Sequence, residues 1–400
     1  MLRRLQSMGH ELCVLEEKRG MPQGARWHSE YFRQAGDGIA TLWYDPRRGG
    51  EKLFTWVFDR MFRRGFEGRN LVHRMLVIRA ALRRFDPDVV ICSDGFSYAI
   101  PASLMKRAGL FSTRLVVGYI GGDILDCPQA AYGKRRTWLT DRLIKLSLTA
   151  PEVLRPVSPL LEKVLLDDGA PKEHIHVCPS HLVAPRETLL DVASRRMEIS
   201  ASLRSRHGIS PTAPLVITLG LNQQGKGLHV LANAWPALVK AYPEARWLLC
   251  GPQTPWTVRE VWPILERHRL RDTVIETGHL AGISVFEHMA AADLHINPSL
   301  GEGLNMVTVE AGAVGTPTVT SNAAGIAAWV ERLGAGAVVS AGMPETLAEA
   351  VIQAFSDRSH LARWGQGARV MAEEFALERI AVDLEHLLKP RTKEQRGDRV

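Results

Sequence analysis

Asn297-Pro-Ser-Leu-Gly-Glu-Gly-Leu-Asn-Met-Val-Thr-Val-Glu-Ala-Gly-Ala-Val-Gly-Thr-Pro-Thr-Val319 is the stretch that decides the fold. Ahead of it, Ala292-Asp-Leu-His-Ile-Asn297 reads as a strand, and 317–321 reads as another. Between the two lie a glycine-rich turn and a short helix of small residues starting near Leu304. Strand, turn, helix and strand are the repeating unit of an open α/β sheet, whose ligands sit beyond the carboxyl ends of the strands. Glu302 falls on the turn and Glu310 inside the helix, with seven residues between them. The first free amides of such a helix point into the crevice and suit a phosphate. Ala311, Gly312, Ala313 and Gly315 carry almost no side chain, so another backbone or a ligand can come close. The plain alternative is a structural turn of any doubly wound domain.

The two glutamates and their surroundings resemble the E-x7-E motif of the family-4 (group 1) retaining glycosyltransferases. The text "PSLGEGLNMVTVEAGAVGTPTV" is similar to the family's PS-x-x-EG-x(6)-EA-x-A-x-GTPVV over more than twenty positions. That is far more specific than two carboxylates at a fixed gap. The resemblance implies an α/β fold of two Rossmann-like doubly wound domains facing across a cleft (GT-B). It implies that Glu310 holds the ribose of a nucleoside-diphosphate sugar, that Glu302 lies by the sugar and phosphates, and that the amides of Gly303, Leu304 and Asn305 hold the donor.

Bulk composition is consistent with this. A chain of 400 residues, 46% hydrophobic and 23% charged, suits two Rossmann-sized soluble domains. No run approaches the roughly 20 apolar residues of a membrane span. The first residues lack the apolar segment of a signal peptide. Five scattered cysteines without C-x-x-C spacing fit a reducing compartment. A cytoplasmic place is therefore expected. The net charge of +7 admits an acidic partner such as a nucleotide or an anionic membrane face.

Taken in order, 2–8 is helix-like, Gly9 caps it, and 11–15 is strand-like. "SMGHELCVL" resembles the family text that follows the first strand, so the chain is expected to begin inside the first βα unit, with its first strand missing. Residues 46–84 hold eleven Lys/Arg against three acids, with Phe54, Trp56, Phe58, Phe62 and Phe66 interleaved. One reading is a peripheral contact with the inner face of an anionic membrane. The other is a solvated basic face over a core-packing aromatic stripe. No motif supports nucleic acid. Asp86-Pro-Asp88 spells the D-x-D metal motif of the other large glycosyltransferase fold, but reads as a strand entry in which Pro87 ends the preceding helix.

Residues 114–120 read as a buried strand running into Gly121-Gly122-Asp123. The family has H-G-x-D here, which implies donor contacts at Gly121 and Gly122 and a catalytic place for Asp123. Ile120 holds the His position, and Tyr119 is the nearest candidate to supply the missing polar contact. Residues 153–166 read as a helix with Ser158 near its start. His174-Ile-His-Val-Cys178 reads as a strand with both His and the Cys on one face. It resembles a structural strand of the family rather than a metal trio, and a fourth ligand is not evident. The second half opens with a strand ending at Gly220, followed by Leu221-Asn-Gln-Gln-Gly-Lys-Gly227. The resemblance implies that Lys226 pairs with the donor diphosphate, while Leu221 replaces the family's Arg. Arg246-Trp-Leu-Leu-Cys-Gly251 is the next strand, with Gly251 at the edge of the nucleobase pocket the family implies. Ala327-Ala328 replaces the family's Pro-Glu.

The expected division is a first domain at 1–183, a connection at 184–210, and a nucleotide-sugar domain at 211–375. Residues 376–400 are expected to hold a helix crossing back to the first domain and a loose tail. The implied activity is retaining hexosyl transfer to a glycan or lipid-linked acceptor, with Glu302, Asp123 and Lys226 in catalytic places and no metal or cofactor. The alternatives are a nucleotide-sugar epimerase or hydrolase on the same fold, and a non-catalytic binding member.

Overall fold

The computed structural model of the protein describes residues 1–15, 30–34, 40–44 and 71–389. Residues 45–70, which carry the interleaved aromatics, lie outside the described residues. In the first half, β1 (Cys13–Leu15), β2 (Glu30–Gln34) and β3 (Ala40–Tyr44) form a small sheet in the order β1-β3-β2. Next come β4 (Val89–Cys92), β5 (Arg114–Tyr119), a short antiparallel pair β6 (Asp126–Cys127) and β7 (Tyr132–Gly133), and β8 (Val153–Pro156). β4, β5 and β8 form a parallel sheet with β5 in the middle. The middle strand is buried on both faces, which is why Leu115, Val116 and Val117 read as a continuous apolar run.

The second half holds β9 (Leu215–Leu219), β10 (Arg246–Cys250), β11 (Val274–Gly278), β12 (Leu294–Asn297), β13 (Thr318–Ser321) and β14 (Gly336–Val339). All six run parallel in the order β11-β10-β9-β12-β13-β14. Numbered within that sheet the order is 3-2-1-4-5-6, the Rossmann arrangement, and its switch point lies between β9 and β12. The fold is thus α/β with two parallel sheets of three and six strands.

The halves are not separate bodies. The core around Leu115, Val117 and Ile100 continues into Val309, Ala324, Ile326 and Phe375 of the second half. The helix Leu377–Leu388 buries Ile380, Leu384 and Leu388 against Leu5, Val116 and Val153.

Two local expectations are corrected. Residues 153–166 are not one helix: β8 ends at Pro156, and the helix Pro159–Asp167 follows with Ser158 as its N-cap, its hydroxyl accepting the Leu161 amide. Apolar residues at 153, 154, 157, 161 and 165 mimic a helical stripe, but the first two are strand residues buried on opposite faces of the sheet. His174 closes a single 3-10 turn, while 175–178 run beside β8 with Ile175 bridging Leu154 and the His176 and Cys178 amides donating to the Leu154 and Pro156 carbonyls, so His174 lies off the extended segment that carries the other two. Among the described residues no group of three His, Cys, Asp or Glu could hold a metal ion. Residues 184–210 hold the helices Arg186–Ser194 and Arg196–Arg206, whose Leu189, Val192, Ile199 and Leu203 join the core of the second sheet. The helix Leu71–Phe85 buries Leu71, Val77, Ile78 and Ala80, while Arg79, Arg83 and Arg84 are exposed. No helix among the described residues is long and apolar enough to cross a membrane.

Candidate functional site

The site sits at the carboxyl edge of the six-stranded sheet, over the switch point. After β9 the chain turns at Gly220 (φ 137°), makes a 3-10 turn at Gln224–Lys226, and enters the helix Leu228–Ala241 through Gly227 (φ 68°). A Cβ on Gly227 would lie 1.9 Å from the carbonyl oxygen of Pro298, so only glycine lets this loop meet the end of β12. The loop delivers Lys226 to Glu302, with Nζ 2.5 Å from Oε1. The other carboxylate oxygen of Glu302 accepts the Ser299 hydroxyl (2.9 Å) and the Asn305 amide (2.7 Å).

Asn305 ends the turn in the left-handed region (φ 83°), which asparagine tolerates better than most residues. Its side-chain oxygen accepts the Thr308 amide and caps the helix Met306–Ala313. The helix therefore begins at Met306, two residues later than expected. Among the described residues no acceptor meets the amides of Gly303, Leu304 and Asn305. Glu310 lies on the second turn of this helix, half-buried, with no hydrogen-bond or ion-pair partner among the described residues. Burial without a partner pushes its pKa up to about 7. Beneath the pair, His295 is fully buried with Nδ1 3.1 Å from the Thr318 hydroxyl. Burial, aided by the nearby Lys226 charge, pushes it down to about 3, so the imidazole is neutral at physiological pH.

The opposite wall comes from the first half. Asp123 is 2% exposed and accepts the amides of Gly95 (2.7 Å), Ile120 (3.1 Å) and Gly121 (2.7 Å). Burial pushes its pKa up, and those three amides work against the rise. It is wholly engaged in tying the turn 120–123 to Gly95, which is a positioning arrangement. Gly121 and Gly303 touch backbone to backbone: a Cβ on Gly303 would lie 2.0 Å from the Ile120 oxygen and 2.7 Å from the Gly121 Cα. Ser158 donates to the Gly303 carbonyl (2.6 Å), and Gly325 donates its amide to Glu302 O (3.0 Å). Gly303→Ala is expected to cost about 2–3 kcal/mol of stability by overpacking this seam. An unchanged Tm in thermal denaturation would refute the contact.

Gly251 (φ 135°) donates its amide to Gly278 O and packs on Gly220, where a Cβ would lie 2.0 Å from the Gly220 oxygen. Gly220, Gly251, Lys226, Glu302, Glu310 and 303–305 thus gather on one sheet edge, facing Gly121 and Gly122. Tyr119 does not join them. Its ring packs in the core, 1% exposed. The sequence reading missed the hairpin of β6 and β7. Its Tyr132 ring and hydroxyl lie against Gly121 and Gly122, and its electrostatic neighbours include Asp123 and Glu302. Burial pushes the phenol up, with the two acids adding to the rise and the Gly122 amide opposing it. The hairpin also lays Ala130 on Gly225 and Cys127 on Gly301, while Gln224 donates to the Gln129 carbonyl (3.0 Å). Ile120 and Leu221, both departures from the family pattern, are 51% and 61% exposed.

Two α/β units thus meet at a lysine–glutamate pair and open amides over the switch point, the place where open parallel sheets take their ligands. The comparisons make the class specific. Residues 1–181 match the family model "Glycosyl transferase 4-like domain", and residues 213–357 match "Glycosyl transferases group 1". The chain belongs to the group 1 glycosyltransferase family and has the GT-B fold. It is 27% identical over 215 residues to the D-inositol 3-phosphate glycosyltransferase of Xylanimonas cellulosilytica, a match covering 53% of this chain and 50% of that protein. The chain spans about half the length of that curated relative. Among solved structures it is similar to HepE of Anabaena in complex with UDP (TM-score 0.65, 20% identity, 79% of this chain and 81% of that one). It is also similar to sucrose-phosphate synthase of Thermosynechococcus elongatus (TM-score 0.70, 18% identity, 96% and 90%).

Proposed function

We propose that the protein transfers a glycosyl group, with retention, from a nucleoside-diphosphate sugar to a hydroxyl of a glycan or lipid-linked acceptor. The observation that carries this reading is the gathering of open amides, the Lys226–Glu302 pair and an unpartnered carboxyl at the switch point. The open amides of 303–305 and the Lys226 ammonium sit at one end of a short helix, and the unpartnered Glu310 carboxyl sits one turn further in.

Each group has a part in the reading. Lys226 and the amides take the negative charge that grows on the leaving diphosphate, where fixed donors count most. Glu310 accepts the ribose hydroxyls. Glu302, held by Ser299 and Asn305, stands by the sugar as positive charge develops at its anomeric carbon. Asp123 holds the Gly121-Gly122 turn against the donor, and Gly220 and Gly251 open the floor for the nucleotide. In this reading charge is handled by Lys226 and backbone amides, without a metal ion. HepE, a protein of this fold, was solved with UDP, which favours a nucleotide donor here.

The test is titration with UDP, GDP and ADP, followed by product analysis of the matching sugar nucleotides with and without a glycan acceptor. Tight binding of one nucleotide and an acceptor-dependent product of retained configuration support the reading. Release of free sugar or a changed sugar nucleotide without acceptor would point to hydrolysis or epimerisation instead. A second reading, a binding member without catalysis, is favoured by Ile120 and Leu221, which put exposed apolar side chains where the family carries His and Arg. Tight nucleotide binding with no turnover of any donor would support it.

A further inference from the structure

A second concave site lies on the far side of the six-stranded sheet. Pro214, Asp293 and Pro317, which help line it, immediately precede β9, β12 and β13. These strands are parallel, so the pocket is at their amino edge, a full strand length of about 13–17 Å from Gly220 and Asn297. Its volume is about 350 Å³.

Three arginines line it, Arg196, Arg358 and Arg369. Arg196 donates to the carbonyls of Gly315 and Ala292 (2.7 Å for the latter), and Arg358 donates to the carbonyl of Thr212 (3.0 Å). None of the three has a carboxylate within ion-pair distance among the described residues. Arg369 has no hydrogen-bond acceptor there either, and its guanidinium lies over Gly315. The one acid lining the pocket, Asp293, spends its Oδ2 on Arg204 (2.8 Å) and the Leu215 amide (2.8 Å). Asp357, the acid beside Arg358 in sequence, pairs with Arg363 (3.7 Å). Burial pushes the Arg196 pKa down; Asp293 opposes the shift and Arg369 adds to it. The pocket thus sets three arginines against one acid, itself paired with Arg204.

Arginine forks match phosphoryl oxygens in pairs. Phe355, Leu361 and the two prolines add an apolar part to the wall, which suits a compact body attached to the charged group. We propose that this pocket recognises a phosphoryl group, at a site separate from the cleft that holds Lys226 and Glu302. The source is either a small phosphorylated metabolite or free phosphate.

The experiment is calorimetric titration of the full chain with inorganic phosphate and with ribose 5-phosphate, each in the presence of saturating UDP. Arg358→Ala and Arg369→Ala are the variants, since both side chains are exposed and their loss leaves the core intact. Saturable binding that persists under UDP and weakens at least tenfold in both variants is expected. Tighter binding of ribose 5-phosphate identifies a metabolite as the source, and equal affinities identify free phosphate. No saturable binding, binding unchanged in both variants, or binding abolished by UDP in the parent chain would each overturn the proposal.

Discussion

Glu310→Ala is expected to weaken nucleoside-diphosphate binding by roughly 30- to 1,000-fold, the loss of about 2–4 kcal/mol carried by two hydrogen bonds to a carboxylate. The side chain has no partner of its own, so its removal leaves no orphaned group behind. Titration of the variant with the nucleotide that the parent binds checks this, and an unchanged Kd would remove the ribose from this helix. The pH dependence gives a second handle. Burial raises the folded-state pKa from 4.5 to about 7. A raised carboxyl contributes stability that is full below the unfolded value and is lost as pH rises through the folded one. Between pH 4.5 and 7 the unliganded protein should therefore lose up to ~3 kcal/mol to this one group. Glu310→Gln should recover much of that loss above pH 7 in denaturant titrations, while still binding nucleotide more weakly than the parent. Because ribose hydroxyls donate to the ionised form, parent affinity should fall as pH drops below 7, and the Gln variant should lose that slope.

Lys226→Ala is expected to lower kcat by about 100- to 1,000-fold at saturating donor, the usual cost of removing one fixed charge from a developing anion. Its Nζ is 2.5 Å from Glu302 in the unliganded protein, so the ammonium is already aimed at the cleft. Glu302 keeps the Ser299 and Asn305 hydrogen bonds in the variant, so the turn should hold. Stopped assays of transfer measure kcat, and thermal denaturation reports the fold. A lowered Tm with kcat intact would mean that Lys226 serves the turn and not the reaction.

The stretch 297–319 could be read because every level of its sequence agrees: apolar runs of strand length, a glycine turn, a helix of small residues and a second strand. The Lys226 loop could be read for the same reason, with Gly227 marking a backbone that turns left-handed and passes close to the end of β12, and Gly225 one that meets Ala130. Residues 153–166 misled because a short apolar run has the same spacing in a buried strand as in a helix. Only the neighbouring β5 decides between them. Tyr119 was a fair candidate from position alone, yet its ring faces Gly95 in the core, and no local pattern encodes that contact. The hairpin of β6 and β7 was invisible because two-residue strands carry no periodicity, and the value of Tyr132 depends on a loop far away in the chain. Ser158 donates across 145 positions to the Gly303 carbonyl, a pairing that a single sequence cannot announce.

The seam between the halves limits how freely this architecture can be shuffled. Gly303 fits only because Gly121 opposite it has no side chain, and its carbonyl takes its hydrogen bond from Ser158. Ala130 and Cys127 lean on Gly225 and Gly301 in the same way. A chimera that grafts the six-stranded half onto another partner would inherit one side of a zip without its teeth. Swapping must carry the 120–123 turn, the 126–133 hairpin and Ser158 along as a single cassette.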